Sequence, residues 1–122
     1  MLRFIDVLND PEVFTLCVDI GHITLTDREP DNFIRAIGKG KIGCLHIHDN
    51  DYKEDQHNLP GAGRINWGSV CQALAEVDYQ GAITLEADRF FYNYPEEYYP
   101  TVARFMADTA RMLRDKVELY RV

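Results

Sequence analysis

The stretch Ile42-Gly43-Cys44-Leu45-His46-Ile47, with His48-Asp49-Asn50 directly behind it, decides the fold class of this chain. Its first part is mostly apolar, which is typical of a strand covered by helices in a parallel sheet. Its second part is polar and opens a long loop that reaches residue 64. Two further apolar stretches, residues 13–18 and 82–85, are predicted as strands of the same kind.

Amphipathic segments separate these strands. Residues 30–37 are predicted as a helix, because Pro30 suits a first helical turn and Gly38 suits the end of one. Asn66 is a candidate N-cap for a second helix over residues 67–77. A last helix is expected from residue 96 or 100 to about 117, and residues 2–8 read as the end of an earlier helix. Strands that alternate with helices predict an α/β fold with a parallel sheet and right-handed crossovers.

Two segments near the end of the chain carry further apolar patterns. The last helix is expected to bury Val102, Phe105, Met106, Thr109, Met112, Leu113 and Val117. The segment 89–99 is dense in Tyr and Phe, and it either packs over the end of the sheet or forms a wall against a substrate. Both alternatives stay open at this point.

The composition bounds the possible functions. The chain has 122 residues, which suggests one domain over residues 1–122, and its 46% hydrophobic and 27% charged residues are ordinary for a globular protein. No apolar stretch is long enough to span a bilayer, and the start has no long apolar core of a signal peptide, so we expect a cytoplasmic protein without membrane partners. The net charge of −7 repels phosphate backbones and argues against a nucleic-acid partner.

The three cysteines, Cys17, Cys44 and Cys71, are an odd number without paired spacing. Each lies in an apolar or amphipathic stretch. We therefore interpret them as buried free thiols of a reducing compartment rather than as redox or metal residues.

Residues of metal-ligand type cluster where strands run out into loops. Asp19 and His22 follow the first strand, His46 and Asp49 end the second, and Glu86 ends the third. The carboxyl ends of parallel strands meet at one edge of the sheet, where α/β folds collect their functional groups. Carboxylates and imidazoles suit a divalent ion such as Mn²⁺, Mg²⁺, Co²⁺ or Zn²⁺. The sequence thus predicts a divalent-metal site at this edge.

These motifs form an ordered series: Val18-Asp19-Ile20-Gly21-His22, Leu45-His46-Ile47-His48-Asp49-Asn50, Asp55-Gln56-His57, Pro60-Gly61-Ala62-Gly63-Arg64-Ile65-Asn66-Trp67 and Leu85-Glu86. Over residues 12–88 the series resembles the xylose isomerase-like TIM-barrel superfamily. That group includes sugar and sugar phosphate isomerases and epimerases as well as class II apurinic endonucleases.

The resemblance implies roles for individual residues. Asp19, His46 and Glu86 match metal-ligand positions, His22 is expected to touch the substrate, and Glu86 is also a candidate catalytic base. In the endonuclease branch His22, Asp55 and His57 are ligands of a multinuclear zinc site.

Three neighbouring residues have weaker assignments. Arg64 and Arg89 lie in loops near the predicted site, where they are candidates to meet a phosphate or hydroxyl of the substrate. His48 is not a ligand position in the family pattern. Because it alternates with His46 along the strand, we expect it to point to the other side and to lie outside the site.

The chain is short for the fold that the resemblance implies. A (β/α)₈ barrel needs about 250 residues and eight strands. The three strands of this chain match the last three β/α units, so the expected fold is a partial TIM barrel. The fourth metal ligand, a glutamate that also serves as the second base, belongs to an earlier strand in the family.

Three alternatives are open: a fragment of a longer protein, a natural short protein that assembles with copies of itself or with a partner, and a degenerate relic. Exposed strand edges favour self-association, so we expect a homo-oligomer, a dimer, or a partner that supplies the missing N-terminal half of the barrel.

The resemblance favours a sugar or sugar phosphate isomerase or epimerase, which moves a proton next to a carbonyl with the help of a divalent ion. A class II apurinic endonuclease is the second hypothesis, weakened by the acidic charge. A truncated, non-catalytic metal-binding or assembly module is the third, and the isolated chain fits it as well as it fits an active enzyme.

Overall fold

A computed structural model describes residues 2–8 and 10–121 of the chain. The elements in chain order are α1 (Leu2–Leu8), β1 (Leu16–Asp19), α2 (Ile20–Thr24), α3 (Pro30–Ile37), β2 (Ile42–Ile47), α4 (Trp67–Glu76), β3 (Ile83–Leu85), two 3₁₀ helices (Asp88–Asn93 and Glu96–Tyr98) and α5 (Tyr99–Leu119). The strands form one three-stranded sheet in the order β1-β2-β3, and both pairs are parallel. The predicted α/β class with three parallel strands is confirmed.

The start of one strand and one whole helix differ most from the prediction. The strand β1 begins at Leu16 rather than at residue 13, because the amides of Val13 and Phe14 donate to the carbonyl of Asp10 and close a turn. The short helix α2 was not predicted, since five residues are too few to show a helical period. Its N-cap is Asp19, which accepts a hydrogen bond of 3.0 Å from the amide of His22.

The two faces of the sheet have different surroundings. Leu16, Val18, Leu45 and Ile47 point to one face and share a buried cluster with residues of α3 and α4. Cys17, Cys44 and His46 alternate with them and point to the other face, which we call the open face. Cys17 and Cys44 are exposed, so the prediction that all three cysteines are buried was wrong for these two and holds for Cys71.

The helix α5 covers the other end of the core. Val102 and Met106 pack with Leu59 and Ala87, and Val117 joins the main cluster. The predicted buried stripe was wrong at two positions, since Phe105 and Met112 are exposed. The Phe105 ring lies 6.2 Å, centroid to centroid, from that of Phe90.

The aromatic segment after β3 is only partly packed onto the core, and its role as a wall against a substrate stays a prediction. Phe90 and Phe91 pack against the Leu59 cluster, as the packing interpretation expects. Tyr92, Tyr94 and Tyr98 are exposed instead. Among the residues that the structure describes, no helix combines the length and apolar character needed to cross a membrane.

Candidate metal-binding site

Asp19, His46 and Glu86 meet on the open face at the carboxyl ends of the strands. Asp19 is paired with His46 in the register of β1 and β2, and the amide of Glu86 donates to the carbonyl of Ile47 at 2.9 Å. One ligand atom from each of the three residues lies within 4.8 Å of the others. His46 Nδ1 and Glu86 Oε2 are 2.8 Å apart. The arrangement is that of three ligands converging on one point.

Asp19 is held as an anion by its neighbours. His22 Nδ1 lies 2.7 Å from its Oδ2, and His48 Nε2 lies 3.1 Å from its Oδ1. Burial acts to raise the pKa of Asp19, but the contact with His48 and the hydrogen bond from the His22 amide outweigh it and lower the pKa to about 2. The carboxylate is therefore ionised, as a metal ligand must be.

A second group of possible ligands adjoins the first: His22, His48, Asp55 and His57, whose ligand atoms also lie within 4.8 Å of one another. Asp55 Oδ1 is 3.3 Å from His22 Nε2 and 3.1 Å from His57 Nε2. His57 Nδ1 is in hydrogen-bond contact with the carbonyl of Glu86 at 2.8 Å. This contact fixes the orientation of the His57 ring and joins the two groups.

His57 sits in a left-handed backbone conformation, with φ of 47°. That conformation costs a non-glycine residue roughly 1–2 kcal/mol. Burial acts to lower the pKa of His57, but its contact with the Glu86 carbonyl and the nearby carboxylates of Asp55, Glu86 and Asp88 raise it. Strained residues of this kind concentrate at functional sites.

The expectation that His48 lies outside the site was wrong. Residues two apart along a strand point to the same face, so His48 follows His46 to the open side rather than away from it. The His48 ring is fully buried, stacks on the His57 ring with centroids 4.1 Å apart, and lies against Gly21. A Cβ atom at Gly21 would overlap this ring, so the glycine makes room for it. The repeated spacing His46-Ile47-His48 was the signal that could have found it.

Asp49, which the sequence placed among the ligand candidates, is instead buried under the loop that carries Asp55 and His57. Its Oδ1 accepts from the amides of Asn50 and Ile65 at 2.9 and 3.1 Å. Its Oδ2 accepts from the amide of Gly61 and from Trp67 Nε1, both at 2.8 Å. All of these donors belong to the segment 50–67, so the carboxylate organises the loop from within.

Asn50 connects this loop to α2. Its side-chain amide donates to the carbonyl of Gly21 at 2.9 Å, and its Oδ1 accepts from the Thr24 hydroxyl at 2.8 Å. The sequence contained no signal for this contact, because the partners are 26 and 29 residues away. Through it, the loop that carries Asp55 and His57 is fixed relative to the helix that carries His22.

The two arginines that were predicted near the site have different positions. Arg64 is exposed, and its amide donates to the carbonyl of Asn50 at 2.8 Å. Arg89 donates from Nη1 to the carbonyl of Asp55 at 2.7 Å. Arg89 therefore lies closer to the second group through this contact, whereas no contact of the Arg64 side chain with either group is found among the described residues.

The donor set fits a divalent ion. Glu86 Oε2, Asp55 Oδ1 and both ring nitrogens of His48 are buried and lack a hydrogen-bond partner within the described part of the chain. His46 Nδ1 and His48 Nε2 approach carboxylates closely, but they are not aligned as hydrogen bonds. Buried polar atoms normally have partners, and an ion would provide one for atoms that converge as these do.

Comparison with known proteins identifies the family of this chain. The family model described as xylose isomerase-like TIM barrel matches residues 1–109. The chain is 28% identical over 89 residues to a probable ketose 3-epimerase of Synechocystis sp., covering 73% of this chain and 29% of that protein. It is 29% identical over 85 residues to a D-psicose 3-epimerase of Enterocloster bolteae, covering 70% of this chain and 26% of that protein.

A solved structure is also similar. The crystal structure of a D-tagatose 3-epimerase-like protein superposes with a TM-score of 0.63 at 25% identity, covering 87% of this chain and 35% of that one. The chain thus spans about a quarter to a third of the length of these relatives.

Proposed function

Because this chain belongs to the xylose isomerase-like TIM barrel family, we propose that it is the metal-binding part of a sugar or sugar phosphate epimerase or isomerase. The observation that carries the proposal is the convergence of Asp19, His46 and Glu86 within 4.8 Å on the open face. The relatives named as ketose 3-epimerases support the substrate class, a small hydroxy-carbonyl sugar.

Asp19, His46 and Glu86 would hold a divalent ion (Mn²⁺, Mg²⁺, Co²⁺ or Zn²⁺). When bound, the ion supplies electrophilic polarisation of a sugar carbonyl and its neighbouring hydroxyl, which acidifies the C–H bond between them. The remaining chemistry belongs to the side chains of this chain.

Glu86 has the position of a base. Its carboxylate lies at the mouth of the open face, about one-third exposed, with Oε2 lacking a hydrogen-bond partner among the described residues. A carboxylate there can take the proton from the carbon next to the carbonyl and return it to the same or the adjacent carbon. Return to the same carbon from the other side inverts it and gives epimerisation, whereas return to the adjacent carbon gives isomerisation.

Inversion needs a second acid on the opposite face of the sugar. The family resemblance supplies it as a glutamate from an earlier strand. In the proposal this group comes from the rest of a barrel, either from further sequence or from another polypeptide.

His22 would orient the substrate. Its Nδ1 is engaged with Asp19, while Nε2 points toward Asp55 and the ring is nearly half exposed. Nε2 could therefore donate to a substrate hydroxyl while Asp19 holds the ring. Arg64 and Arg89 remain candidates for contact with a phosphate.

The first experiment measures metal binding. Isothermal titration with Mn²⁺ and Co²⁺ is expected to give one strong site that is lost in Asp19→Ala and in Glu86→Ala. Asp108→Ala is the matched control, because Asp108 is an exposed carboxylate on α5 that pairs only with Arg111 in the described contacts. Equal affinities in all three variants would contradict the assignment of the ligands.

The second experiment measures proton transfer. The chain is incubated in D₂O with a panel of ketoses and ketose phosphates, alone and with a separately expressed N-terminal barrel half from a related epimerase. Deuterium incorporation at a single sugar carbon that is lost in Glu86→Gln would support the proposal. Metal binding without any exchange under both conditions would instead support a non-catalytic metal-binding or assembly module.

One observation favours a second candidate function. The group His22, His48, Asp55 and His57 offers ligands for a second ion beside the first, which is the arrangement of a multinuclear hydrolase. A class II apurinic endonuclease activity would use it, although the net charge of −7 opposes binding to a DNA backbone. Cleavage of a duplex that contains one abasic site, with dependence on Asp55 and His57, would replace the epimerase proposal.

A further inference from the structure

The open face also carries two exposed cysteines. Cys17 of β1 and Cys44 of β2 are directly paired in the register of the parallel strands. Neither has a disulfide partner, and both are exposed. They are not part of either ligand group described above.

An irregularity in β2 produces this pairing. Leu16 is opposite Ile42, but the next residue, Cys17, is opposite Cys44, so Gly43 is an extra residue in the ladder. A bulge of this kind re-aims the side chains that follow it. A Cβ atom at Gly43 would overlap the Thr15 hydroxyl, so the bulge requires a glycine here. Without the bulge, Cys17 would face a residue that has no side chain.

The two thiols are neighbours on the open face, because their residues are directly paired and both side chains point to that face. Hydrogen-bond contact with Cys44 is the largest of the influences that raise the pKa of Cys17 to about 11, followed by burial and by the charges of Cys44, Asp19 and Glu86. The pair lies two residues before Asp19 and His46 on the same strands, which corresponds to about 6.6 Å along the sheet. The open face therefore carries two adjacent groups. The thiols of Cys17 and Cys44 form the dithiol layer, and Asp19, His46 and Glu86 form what we call the upper layer, nearer the carboxyl ends of the strands.

We propose that Cys17 and Cys44 form a dithiol site for a thiophilic divalent ion of the zinc and cadmium type. The ion displaces one proton from each thiol to the solvent, and two metal–sulfur bonds replace the two S–H bonds. At metal–sulfur distances of about 2.3 Å, tetrahedral geometry needs the sulfurs about 3.8 Å apart. Directly paired residues on neighbouring strands meet that requirement by changes of side-chain rotamer alone.

The dithiol layer and the upper layer select different ions. Thiolates favour soft ions, whereas Asp19, His46 and Glu86 offer mainly oxygen and suit harder ones such as Mn²⁺ and Mg²⁺. The carboxylate of Asp19 is near enough to Cys17 to influence it and is a candidate third ligand. The dithiol proposal does not depend on the proposed epimerase function, because neither cysteine takes part in it.

The test uses Cd²⁺ as the probe and the absorption of the thiolate-to-cadmium charge transfer as the readout. This absorption reports only sulfur ligands, so an ion in the upper layer does not contribute to it. The full chain is expected to bind one Cd²⁺ with this signal. Cys17→Ser and Cys44→Ser should each lower the Cd²⁺ affinity measured by this signal by more than about 100-fold. That loss exceeds the 10–100-fold typical of a residue that only orients a ligand.

Two control variants show whether the signal comes from Cys17 and Cys44. Cys71→Ser removes the third thiol, which is buried on α4, and should leave the signal unchanged. His46→Ala removes the upper site and should also preserve it, which distinguishes failure of this proposal from failure of the proposed function. Three results would overturn the proposal. The first is loss of the signal in Cys71→Ser, and the second is a Cd²⁺ affinity that falls by less than about tenfold in both Cys17→Ser and Cys44→Ser. The third is a stoichiometry of one Cd²⁺ shared between two chains.

A second measurement needs no substitution and covers the case in which a serine variant fails to fold. Wild-type chain is treated with iodoacetamide with and without Cd²⁺, and the alkylated cysteines are mapped by peptide mass spectrometry. Protection of Cys17 and Cys44 together supports the dithiol site. Protection of neither, or of one alone, refutes it.

Discussion

Replacement of Asp49 by Asn tests the claim that this buried carboxylate organises the loop that carries Asp55 and His57. Each of its oxygens accepts two hydrogen bonds, at 2.8–3.1 Å, and all four donors are fixed in the loop or at the start of α4. Asparagine has nearly the same shape but only one acceptor oxygen. Its NH₂ group would face two donors, whichever way the amide is turned.

The magnitude follows from those two lost bonds. A hydrogen bond to a charged group contributes about 1.5–3 kcal/mol, so losing two of them lowers the free energy of unfolding by roughly 3–6 kcal/mol. Domains of this kind are stable by about 5–15 kcal/mol, so Asp49→Asn removes a large part of the total. With a urea slope of about 1–3 kcal/mol/M, the midpoint should fall on the order of 2 M.

The assay is urea unfolding of the metal-free chain, followed by far-UV circular dichroism and by the fluorescence of Trp67, the single tryptophan. Asp51→Asn is the matched control in the same loop, because Asp51 is only partly buried and accepts from the amides of Lys53 and Glu54 through one oxygen that asparagine retains. The control should change the stability by no more than about 0.5 kcal/mol. If Asp49→Asn stays within about 1 kcal/mol of the wild type, the organising role of Asp49 in the loop is refuted.

Further predictions concern the site and the sheet edges. Gly21→Ala should lower the free energy of unfolding by about 1–3 kcal/mol in urea, because its Cβ overlaps the buried His48 ring; an unchanged midpoint would show that the ring is free to move. The pKa of Asp19 is about 2 in the folded chain against an ordinary 3.8, so its contribution is present above pH 4 and lost as the pH falls toward 2. Between pH 4 and pH 2, the free energy of unfolding of the metal-free wild type should therefore fall by about 2 kcal/mol more than that of Asp19→Asn. Parallel profiles of unfolding free energy against pH would contradict this. Within the described residues, the outer edges of β1 and β3 have no neighbouring strand, so we expect a dimer in analytical ultracentrifugation; a stable monomer at micromolar concentration would disprove it.

The fold was predicted correctly where the sequence carries local signals. The bounds of α3 and β2 agree with their prediction, because Pro30 and Gly38 mark the ends of one and an apolar stretch followed by polar residues marks the other. The start of β1 was misplaced because Val13 and Phe14 have strand-forming side chains but are held in a turn by Asp10. There, two local backbone hydrogen bonds outweighed residue preference.

Only some residues of the candidate site could be predicted from the sequence. Asp19, His46 and Glu86 were predicted together from their positions at strand ends, and the structure brings them within 4.8 Å. Asp49 has the same residue type and a similar position, yet it is directed inward to the loop. A carboxylate at a strand end can serve either purpose, and the one-dimensional pattern does not distinguish them.

The alternation of the three strands with the longer helices, the parallel sheet and the gathering of ligand-type residues at one edge were determined by the sequence alone. All of them follow from short-range periodicity and from the general geometry of parallel sheets. The tertiary structure decided which side chains meet: the His48 ring against Gly21, the Asp49 carboxylate under its loop, and Cys17 opposite Cys44 through the bulge at Gly43. These contacts depend on strand register and on the path of a long loop, which are set by packing between residues far apart in the chain.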